Sequence, residues 1–531
     1  MSGQGMRGHG VSRRRFLGYG AAGVLGAGAV AVGLPLLGGM IPGGQPGLLL
    51  TSKVPLPKKY AVPLPVPPVL QPVRTDGTTD YYEITARPGL ARLVPGHDTE
   101  VWGYQGVFPG PTIESRSGRR TVVTHRNELP HPTVVHLHGG HTPDDSDGHP
   151  LDLIAPLGGG GSASVGSMAG MPGMGSATAT TERRYVYPMQ QRAATLWYHD
   201  HTMGFTGPHV YRGLAGFHLV RDDEEAALPL PRGPRELPLM IADRAFGADG
   251  GFAYPALDPA EGTPGVRNAY MNGVLGDVVL VNGAPWPFAE VDRARYRLRL
   301  LNASNSRRYR LELDPPPSGG LGLVQIGSDG GLLSSASFHD SIDIAPAERF
   351  DVLVDFSRYP AGSSVRLVNR LGSGGTDEVM RFDIGTAKVA DDSVIPIRRP
   401  LSHVEQLDPA KAVAHRTFVF QKSEKSWTVN GQDYRPGRSL AAPKLGQIEV
   451  WRFVTDVHHP VHLHLDPFQV VSRNGEQPGL YDAGWKDTVD VLPAQGVEVA
   501  VRFTDYAGRF LLHCHNLEHE DMAMMAEFTT G

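Results

Sequence analysis

A pattern of short β-strands occurs three times along the 531 residues of this chain. Each copy begins with a turn that contains Gly and Pro, followed by an alternating strand, a polar break and another strand. These beginnings are VFPGPTIESRSGRRTVVTHRNEL (107–129), VNGAPWPFAEVDRARYRLRLLNAS (281–304) and TVNGQDYRPG (428–437). Each copy also ends with a strand, a polar turn and a strand, in RRYVYPMQQRAATLWYHDH (183–201), RFDVLVDFSRYPAGSSVRLVNR (349–370) and VEVAVRFTDYAGRFLLHCH (497–515).

Short alternating strands that recur with turns at this spacing predict β-sandwiches. We therefore expect an all-β fold class with three homologous sandwich domains, at residues 76–225, 226–390 and 391–531. The content of Gly 66 and Pro 45 agrees with a chain of many turns. The formal net charge of -5 argues against nucleic acid as the main partner.

The N-terminal segment predicts export from the cytoplasm. SRRRFLG (12–18) places consecutive arginines before an uncharged stretch rich in Gly and Ala, and this resembles a twin-arginine signal. Residues 1–41 are the predicted signal, residues 42–75 a Pro-rich exposed linker, and Ala29-Val30-Ala31 has the form of a cleavage site. The expected partner is the twin-arginine export machinery, and the expected location is periplasmic, cell-surface or secreted. The same stretch is long enough to span a bilayer, so a retained membrane anchor stays open.

Histidines are concentrated at corresponding strands of the first and third copies. In a strand, a His-x-His pair places two imidazoles on one face, about 7 Å apart along the chain. That spacing lets each imidazole serve one of two adjacent metal ions. The middle copy carries no such pairs and is expected to be structural. We therefore predict a metal site between the first and third domains, formed by the pairs His136 and His138, His199 and His201, His462 and His464, and His513 and His515.

Cys514 is the single cysteine of the chain, so it cannot form an intrachain disulfide. On a strand it faces away from its neighbours His513 and His515. Two imidazoles, a thiolate and a weak thioether ligand are typical of a blue-copper electron-transfer site. His459, Cys514, His519 and Met524 supply this set, although Met522 and Met525 also stand close by. Zinc is the rival metal, but structural zinc seldom uses so many histidines and gives a thiolate no redox role.

Four motifs in this order resemble the copper motifs of the multicopper oxidases. The similar group includes bacterial spore-coat laccases, bilirubin oxidases and phenoxazinone synthase, and the motifs are HLHGG (136–140), WYHDH (197–201), HPVHLHL (459–465) and HCHNLEHEDMAMM (513–525). The resemblance implies three cupredoxin-like Greek-key β-sandwich domains and four copper ions. It assigns type 1 copper to His459, Cys514, His519 and Met524, type 2 copper to His136 and His462, and the type 3 pair to His138, His199, His201, His464, His513 and His515.

The resemblance also implies a reaction. One-electron oxidation of a reducing substrate at the type 1 copper is coupled, through Cys514, to four-electron reduction of O2 to water. Asp147 and Glu520 resemble the acidic residues that assist proton transfer in this family, so Asp147, Glu520 and Cys514 are the expected catalytic residues. Phenols, aminophenols, tetrapyrroles and Cu(I) are all suitable donors. His141, His149, His209 and His458 match no ligand position, and we expect them to support the ligands or to face solvent.

Three other functions are less compatible with the sequence. A copper-free relative would lack ligands, whereas every matching position is filled here. An electron carrier with type 1 copper alone would not need eight further histidines, and a copper nitrite reductase has a different histidine inventory. Within the family, the segment 157–178 carries Met168, Met171 and Met174, whose thioethers favour Cu(I). A cuprous oxidase for copper tolerance is therefore the alternative to a laccase-like enzyme.

Overall fold

The computed structural model describes residues 46–157, 178–256, 265–387, 389–394, 400–424 and 426–531. The predicted export signal and nearly all of the methionine-bearing segment 157–178 lie outside these residues. Within the described part of the chain, no helix is both long enough and apolar enough to cross a membrane.

The first group of strands forms two facing sheets and a small pair. In one sheet the order is β10-β6-β3-β2, with β4 beside β3, and in the other it is β5-β12-β11-β7, while β8 pairs with β9. The strands are β2 (Arg74–Thr75), β3 (Thr79–Ala91), β4 (Thr99–Tyr104), β5 (Gly110–Arg116), β6 (Arg120–Asn127), β7 (Val135–His138), β8 (Asp152–Ile154), β9 (Thr178–Thr180), β10 (Glu182–Tyr187), β11 (Ala194–Asp200) and β12 (Ala215–Arg221).

The middle group forms a larger pair of sheets. Their strand orders are β16-β15-β13-β18-β23-β20-β21 and β17-β25-β24-β19-β22. The strands are β13 (Glu236–Arg244), β14 (Val274–Leu275), β15 (Val278–Val281), β16 (Ala284–Pro285), β17 (Phe288–Val291), β18 (Arg295–Asn302), β19 (Tyr309–Asp314), β20 (Leu323–Ser328), β21 (Gly331–His339), β22 (Ser341–Ile344), β23 (Arg349–Asp355), β24 (Ser364–Asn369) and β25 (Glu378–Ile384).

The third group again forms two sheets, β27-β26-β29-β33-β31 and β28-β35-β34-β30-β32. The strands are β26 (Ala414–Lys422), β27 (Trp427–Val429), β28 (Ser439–Ala441), β29 (Ile448–Thr455), β30 (His459–Leu463), β31 (Phe468–Arg473), β32 (Thr488–Val491), β33 (Gly496–Arg502), β34 (Gly508–Cys514) and β35 (Met525–Thr530). The described α-helices are short: α1 (Thr206–Arg212), α2 (Asp223–Ala226) and α3 (Leu517–Asp521). Single 3-10 turns occupy Asp144–Ser146, Gly233–Arg235, Asn268–Tyr270, Phe356–Arg358 and Pro409–Lys411.

Each pair of sheets buries an apolar core between its inner faces. In the third group, Trp451 and Val499 of one sheet pack in the same buried cluster as Val461 and Leu512 of the other. The alternation of buried and exposed residues along strands such as β19 produces these two-faced sheets. The six large sheets each use strands of one repeat only, and the domain boundaries near residues 225 and 390 stay predictions.

Part of the predicted Pro-rich linker forms hydrogen bonds with the middle strands, while Leu48 and Leu49 are 49% and 54% exposed. Its strand β1 (Leu48–Leu49) pairs in parallel with β14 of the middle group. Ser52 Oγ donates to Asp277 Oδ1 at 2.5 Å, and the Tyr60 backbone N–H donates to Trp286 O at 2.8 Å. These contacts attach residues 48–60 to the middle strands. A proline-rich segment can make such contacts because only the prolines themselves lack a backbone N–H.

Candidate metal centre

Strand pairing brings the predicted histidines together. In the first group, β7 and β11 are antiparallel, and His136 lies opposite His199. In the third group, β30 and β34 are antiparallel, and His462 lies opposite His513. All eight histidines of the four pairs are at most 1% exposed. The sequence predicted the residues, and the register of these two strand pairs determines how their rings converge.

The eight histidines form three groups of possible metal ligands. In three of the four His-x-His pairs the two members belong to different groups, and in the fourth pair His138 belongs to two groups. Within each group the possible ligand atoms lie within 4.8 Å of one another. The groups made of histidine alone are His136, His138 and His462; His138, His199 and His515; and His201, His464 and His513. This is the arrangement expected for imidazoles that serve adjacent ions, and it joins the first and third groups of strands.

Ring nitrogens from different strands face each other at short distances. His464 Nε2 lies 3.0 Å from His513 Nε2, which in turn lies 3.3 Å from His201 Nε2. His136 Nε2 lies 3.4 Å from His462 Nε2. Two nitrogens bound to one ion by bonds of about 2 Å are separated by about 3.3 Å at a tetrahedral angle. The spacing of these nitrogens therefore fits shared metal ions.

Burial keeps most of these imidazoles neutral. Removal from water is the largest cause, and it lowers the pKa of His136, His138, His199, His201, His462, His464 and His515 below the usual histidine value. A neutral imidazole keeps a lone pair for a metal. His138 Nδ1, His199 Nε2 and His515 Nε2, which belong to one of the groups, have no hydrogen-bond partner among the described residues. Buried nitrogens without partners are costly unless a cation binds them.

The cysteine forms a separate group with two histidines. Cys514 Sγ lies 3.3 Å from His459 Nδ1 and 3.5 Å from His519 Nδ1, and the two Nδ1 atoms are 3.1 Å apart. Burial raises the pKa of the Cys514 thiol well above its usual range. A thiolate at this place therefore requires a cation beside it, and a soft metal ion meets that requirement.

Met524 is the methionine that lies with the cysteine. It is 0% exposed and belongs to the same buried cluster as Cys514, whose N–H donates to Met524 O at 3.1 Å. Met525 packs in a different buried cluster, with Leu511 and Val134. Met522 lies at the border of the Cys514 cluster and is only partly buried. Burial and backbone contacts thus favour Met524 over its neighbours.

The outer edges of the two histidines beside Cys514 have different surroundings. His459 Nε2 lies 3.1 Å from Asp456 Oδ1, and the Asp456 side chain is 37% exposed. The ring of His519 is instead covered by Trp427, with ring centroids 3.8 Å apart. The sequence left open which of the two histidines faces an electron donor. His459 and His519 are 0% and 1% exposed, so burial does not distinguish them and the choice stays open.

Asp147 lies between two of the converging histidines. Its Oδ2 is 2.7 Å from His464 Nδ1, and its backbone oxygen is 2.5 Å from His136 Nδ1. Burial raises the pKa of this carboxyl group to about 7, against the opposing effect of nearby histidines. A carboxyl group with this pKa is suited to both accept and release a proton near neutral pH.

Glu520 stands next to the other end of the cluster. Its Oε2 is 3.1 Å from His513 Nδ1, and its Oε1 is 3.8 Å from His201 Nε2. Burial alone would raise the pKa of Glu520, but His513 and His201 outweigh it and hold that pKa well below its usual range. The side chain is 1% exposed, so it exchanges protons with the interior and not directly with bulk water.

A cavity connects the histidine cluster with the surface. It has a volume of about 380 Å³, and its lining extends from His136 and His462 to the exposed residues His403 and Glu405. Molecules as small as O2 and water fit such a passage. His141 also lines it, between Asp466 and Asp505.

The four histidines that match no ligand position are all buried, so of the two expected roles none of them faces solvent. Each lies within 4 Å of a carboxylate: His141 with Asp466 and Asp505, His149 with Glu527, His209 with Asp200, and His458 with Asp490. Sequence reasoning also missed Asp487 and Thr488, which contact His138, because a lone Asp-Thr pair carries no recognisable spacing.

Known proteins resemble this chain over most of its length. Profiles of the multicopper oxidase family match residues 405–531 and residues 87–165 and 159–225. A laccase of Bacillus stratosphericus is 35% identical, with 88% of this chain and 98% of that protein covered. A bilirubin oxidase of Albifimbria verrucaria is 34% identical, with 88% and 81% covered. The crystal structure of a laccase from Pediococcus acidilactici matches with a TM-score of 0.77 at 32% identity, with 91% and 95% covered.

The chain therefore belongs to the multicopper oxidase family. Within that family it is a laccase-like enzyme: a copper-dependent oxidoreductase that takes electrons from a reducing substrate and uses O2 as acceptor. The predicted fold class, all-β with cupredoxin-like β-sandwich domains, is confirmed by the strands and by the matching structures. The histidine groups fit copper as the cofactor.

Proposed function

We propose that this enzyme oxidises phenolic and other aromatic donors one electron at a time and reduces O2 to water with four copper ions. The assignment gives type 1 copper to His459, Cys514, His519 and Met524, type 2 copper to His136 and His462, and the type 3 pair to His138, His199, His201, His464, His513 and His515. The observation that best supports this proposal is the position of Cys514. Its neighbours His513 and His515 belong to two different histidine groups.

Cys514 provides the connection between the two sites. When bound, copper supplies the one-electron acceptance and the O2 reduction that no protein side chain performs. The Cys514 sulfur lies beside His459 and His519, and its peptide bonds lead directly to the two histidines on either side. A short covalent path of this kind suits fast electron transfer. Its burial in the apolar core of the third group also excludes water from the sulfur.

Asp147 and Glu520 are the proposed proton-transferring residues. Each contacts histidines of the buried cluster, at 2.7 Å from His464 for Asp147 and 3.1 Å from His513 for Glu520. Burial raises the pKa of Asp147, which helps a carboxylate beside the cluster to take up a proton. The negative charge of Glu520 lies 3.1 Å from His513 Nδ1, where it stabilises positive charge or an N–H at that nitrogen.

The test is oxygen uptake by the copper-loaded protein with a phenolic donor and with a cuprous complex, in parallel. Cys514→Ser serves as the blank for spontaneous oxidation of Cu(I). Uptake with the phenol and little with Cu(I) is the expected result. Preferential uptake with Cu(I), especially if it is lost when residues 157–178 are deleted, would identify a cuprous oxidase instead. No uptake with either donor at full copper loading would contradict the oxidase proposal.

We also propose export by the twin-arginine route, which carries folded proteins across the membrane and so suits a protein that acquires a cofactor before crossing. Arg13 and Arg14 precede the apolar stretch up to Ile41. Replacement of both arginines by lysine is expected to keep the protein in the cytoplasm. Fractionation followed by immunoblotting measures this, and unchanged export of the double variant would contradict the proposal.

A further inference from the structure

A buried ion pair joins the middle strands to the histidine cluster. Arg349, the first residue of β23, is 0% exposed. Its guanidinium donates to both oxygens of Asp487, with 2.7 Å between Nη1 and Oδ1 and a second contact between Nη2 and Oδ2. Its Nε donates to Thr195 O on β11 at 2.9 Å. The side chain of Arg349, a residue of the middle group, therefore contacts the first group at Thr195 and the third group at Asp487.

Asp487 in turn contacts two of the proposed copper ligands. Its Oδ1 lies 3.0 Å from His138 Nε2, and its backbone oxygen accepts from His462 Nδ1 at 2.9 Å. The hydroxyl of Thr488 lies 3.1 Å from His138 Nε2 and 3.3 Å from His462 Nδ1. A histidine whose outer nitrogen donates to a carboxylate has its tautomer and ring direction fixed. For His138 this leaves Nδ1, which has no hydrogen-bond partner within the described part of the chain, for a metal.

The backbone next to His138 leaves room for this ion pair. Gly139 has φ +83, and a Cβ at this residue would lie 2.7 Å from Arg349 Nη2 and 2.8 Å from Asp487 Oδ2. Distances under 3 Å are steric clashes for a Cβ, so any larger residue would displace the guanidinium, the carboxylate or both. The glycine that follows the His-Leu-His sequence therefore admits Arg349 and Asp487 to the immediate neighbourhood of the cluster.

The ion pair is itself held by a second carboxylate of the middle strands. Asp329 Oδ1 accepts from the Arg349 backbone N–H at 2.7 Å, and Asp329 Oδ2 lies 3.3 Å from the N–H groups of both Asp487 and Thr488. Lys486 Nζ is 3.1 Å from Asp329 Oδ2. Arg349 and Asp487 are thus fixed at backbone and side chain together, which suits positioning of a ligand within a fraction of an ångström.

We propose that Arg349 is a positioning residue of the histidine-only copper cluster: through Asp487 it sets the orientation of His138 and His462. The middle strands, which carry no copper ligand, then take part in building the cluster. This inference rests on the proposed assignment of His138 and His462 as ligands. It predicts that loss of the two parallel contacts weakens metal binding at the cluster and leaves the site of Cys514 unchanged.

The test compares Arg349→Lys with Arg307→Lys in the full-length, copper-loaded enzyme. Lysine keeps the positive charge but cannot make two parallel contacts to a carboxylate. Arg307 is the matched control, because it is a buried arginine of the same group of strands, 3% exposed, and its Nε donates to Asp243 at 2.7 Å. Its Nη2 donates to Gly276 O at 2.6 Å, and neither of these contacts involves a histidine of the cluster. Arg349→Met is the stronger variant, and if it does not fold, Arg349→Lys still decides the question.

Chelator competition with electron paramagnetic resonance gives the readout. Loss of a partner that orients a metal ligand typically weakens metal affinity about 10- to 100-fold. We expect a weakening of this size for the cluster in Arg349→Lys, an altered spectrum of the mononuclear copper, and an unchanged blue absorption. Arg307→Lys should retain all three. If the metal affinity and the spectrum of Arg349→Lys match those of the control, the inference is overturned. Arg349 would then only hold the strands together.

The same measurements separate this inference from the proposed function. A wild-type protein that loads no copper at the histidine-only cluster would contradict the ligand assignment itself. A wild-type protein that loads fully, together with an Arg349→Lys variant that loads equally well, would contradict only the role of Arg349.

Discussion

His459 Nε2 lies 3.1 Å from Asp456 Oδ1, on the side of the ring opposite to Cys514. Burial works to raise the pKa of Asp456, but His459 and the backbone N–H groups of Lys422 and Val457 outweigh it and lower that pKa. A partly exposed negative charge therefore stands beside the outer edge of one of the two histidines that are proposed to hold the cysteine site. This charge acts on any donor that approaches the edge.

Asp456→Asn should change the preference for donor charge. The carboxylate attracts cationic aromatic amines and repels sulfonated, anionic donors, but solvent screens the effect because the side chain is partly exposed. We expect KM to rise roughly two- to fivefold for a cationic donor and to fall similarly for an anionic one. Steady-state kinetics at low ionic strength measure this, and Asp433→Asn, an exposed carboxylate on the same group of strands, is the control. Equal changes for both donors would contradict the prediction.

Cys514→Ser should abolish both blue colour and turnover. A serine hydroxyl is a poor ligand for a soft metal ion, and it interrupts the sulfur path to the neighbouring histidines. The histidine groups do not contain Cys514, so the variant should still bind copper there. Metal analysis and oxygen uptake on the same preparation decide the matter. Full turnover by Cys514→Ser would exclude Cys514 as the electron route.

Glu520→Gln should slow the reaction with O2 more than the reaction with the donor. The amide keeps the size of the side chain but removes the carboxylate that faces His513 and His201. Loss of a positioned acid or base typically costs about 100- to 10,000-fold in the step it assists. Stopped-flow reoxidation of the reduced enzyme measures that step, and anaerobic reduction by the donor is the internal control. An unchanged rate of reoxidation in Glu520→Gln would contradict the prediction.

The convergence of the proposed ligands could be anticipated from sequence because they occur in four short motifs. Spacing within a strand fixes which side chains share a face, so His513 and His515 separate from Cys514 without any knowledge of tertiary structure. The repeats of alternating strands were sufficient to predict the all-β fold class.

The surroundings of the ligands could not be predicted in the same way. Arg349 and Asp487 are 138 residues apart in sequence and meet only after three groups of strands have packed. Trp427 covers His519 from a strand that carries no ligand motif. Arginine, aspartate and tryptophan at isolated positions are common in any chain, so only the fold distinguishes these residues from the many that have no contact with the site.

His141 should make the stability of the enzyme depend on pH. Its Nδ1 lies 3.1 Å from Asp466 Oδ1 and its Nε2 lies 2.8 Å from Asp505 Oδ1. Burial alone would lower the pKa of His141, but the two carboxylates outweigh it and raise that pKa above the usual value. The resulting stabilisation is fully present below the pKa of the unfolded chain, about 6.5. It is lost as the pH rises through the raised pKa of the folded protein.

His141→Gln should therefore lower the free energy of unfolding by about 1–2 kcal/mol at acidic pH, because hydrogen bonds to a charged partner contribute about this much. The difference from wild type should shrink at pH values above the raised pKa of the folded protein. Denaturant unfolding at two pH values measures it, and His403→Gln, an exposed histidine on the same cavity, is the control. A difference of the same size at both pH values would mean that His141 contributes through packing and that its charge has no part in the stability.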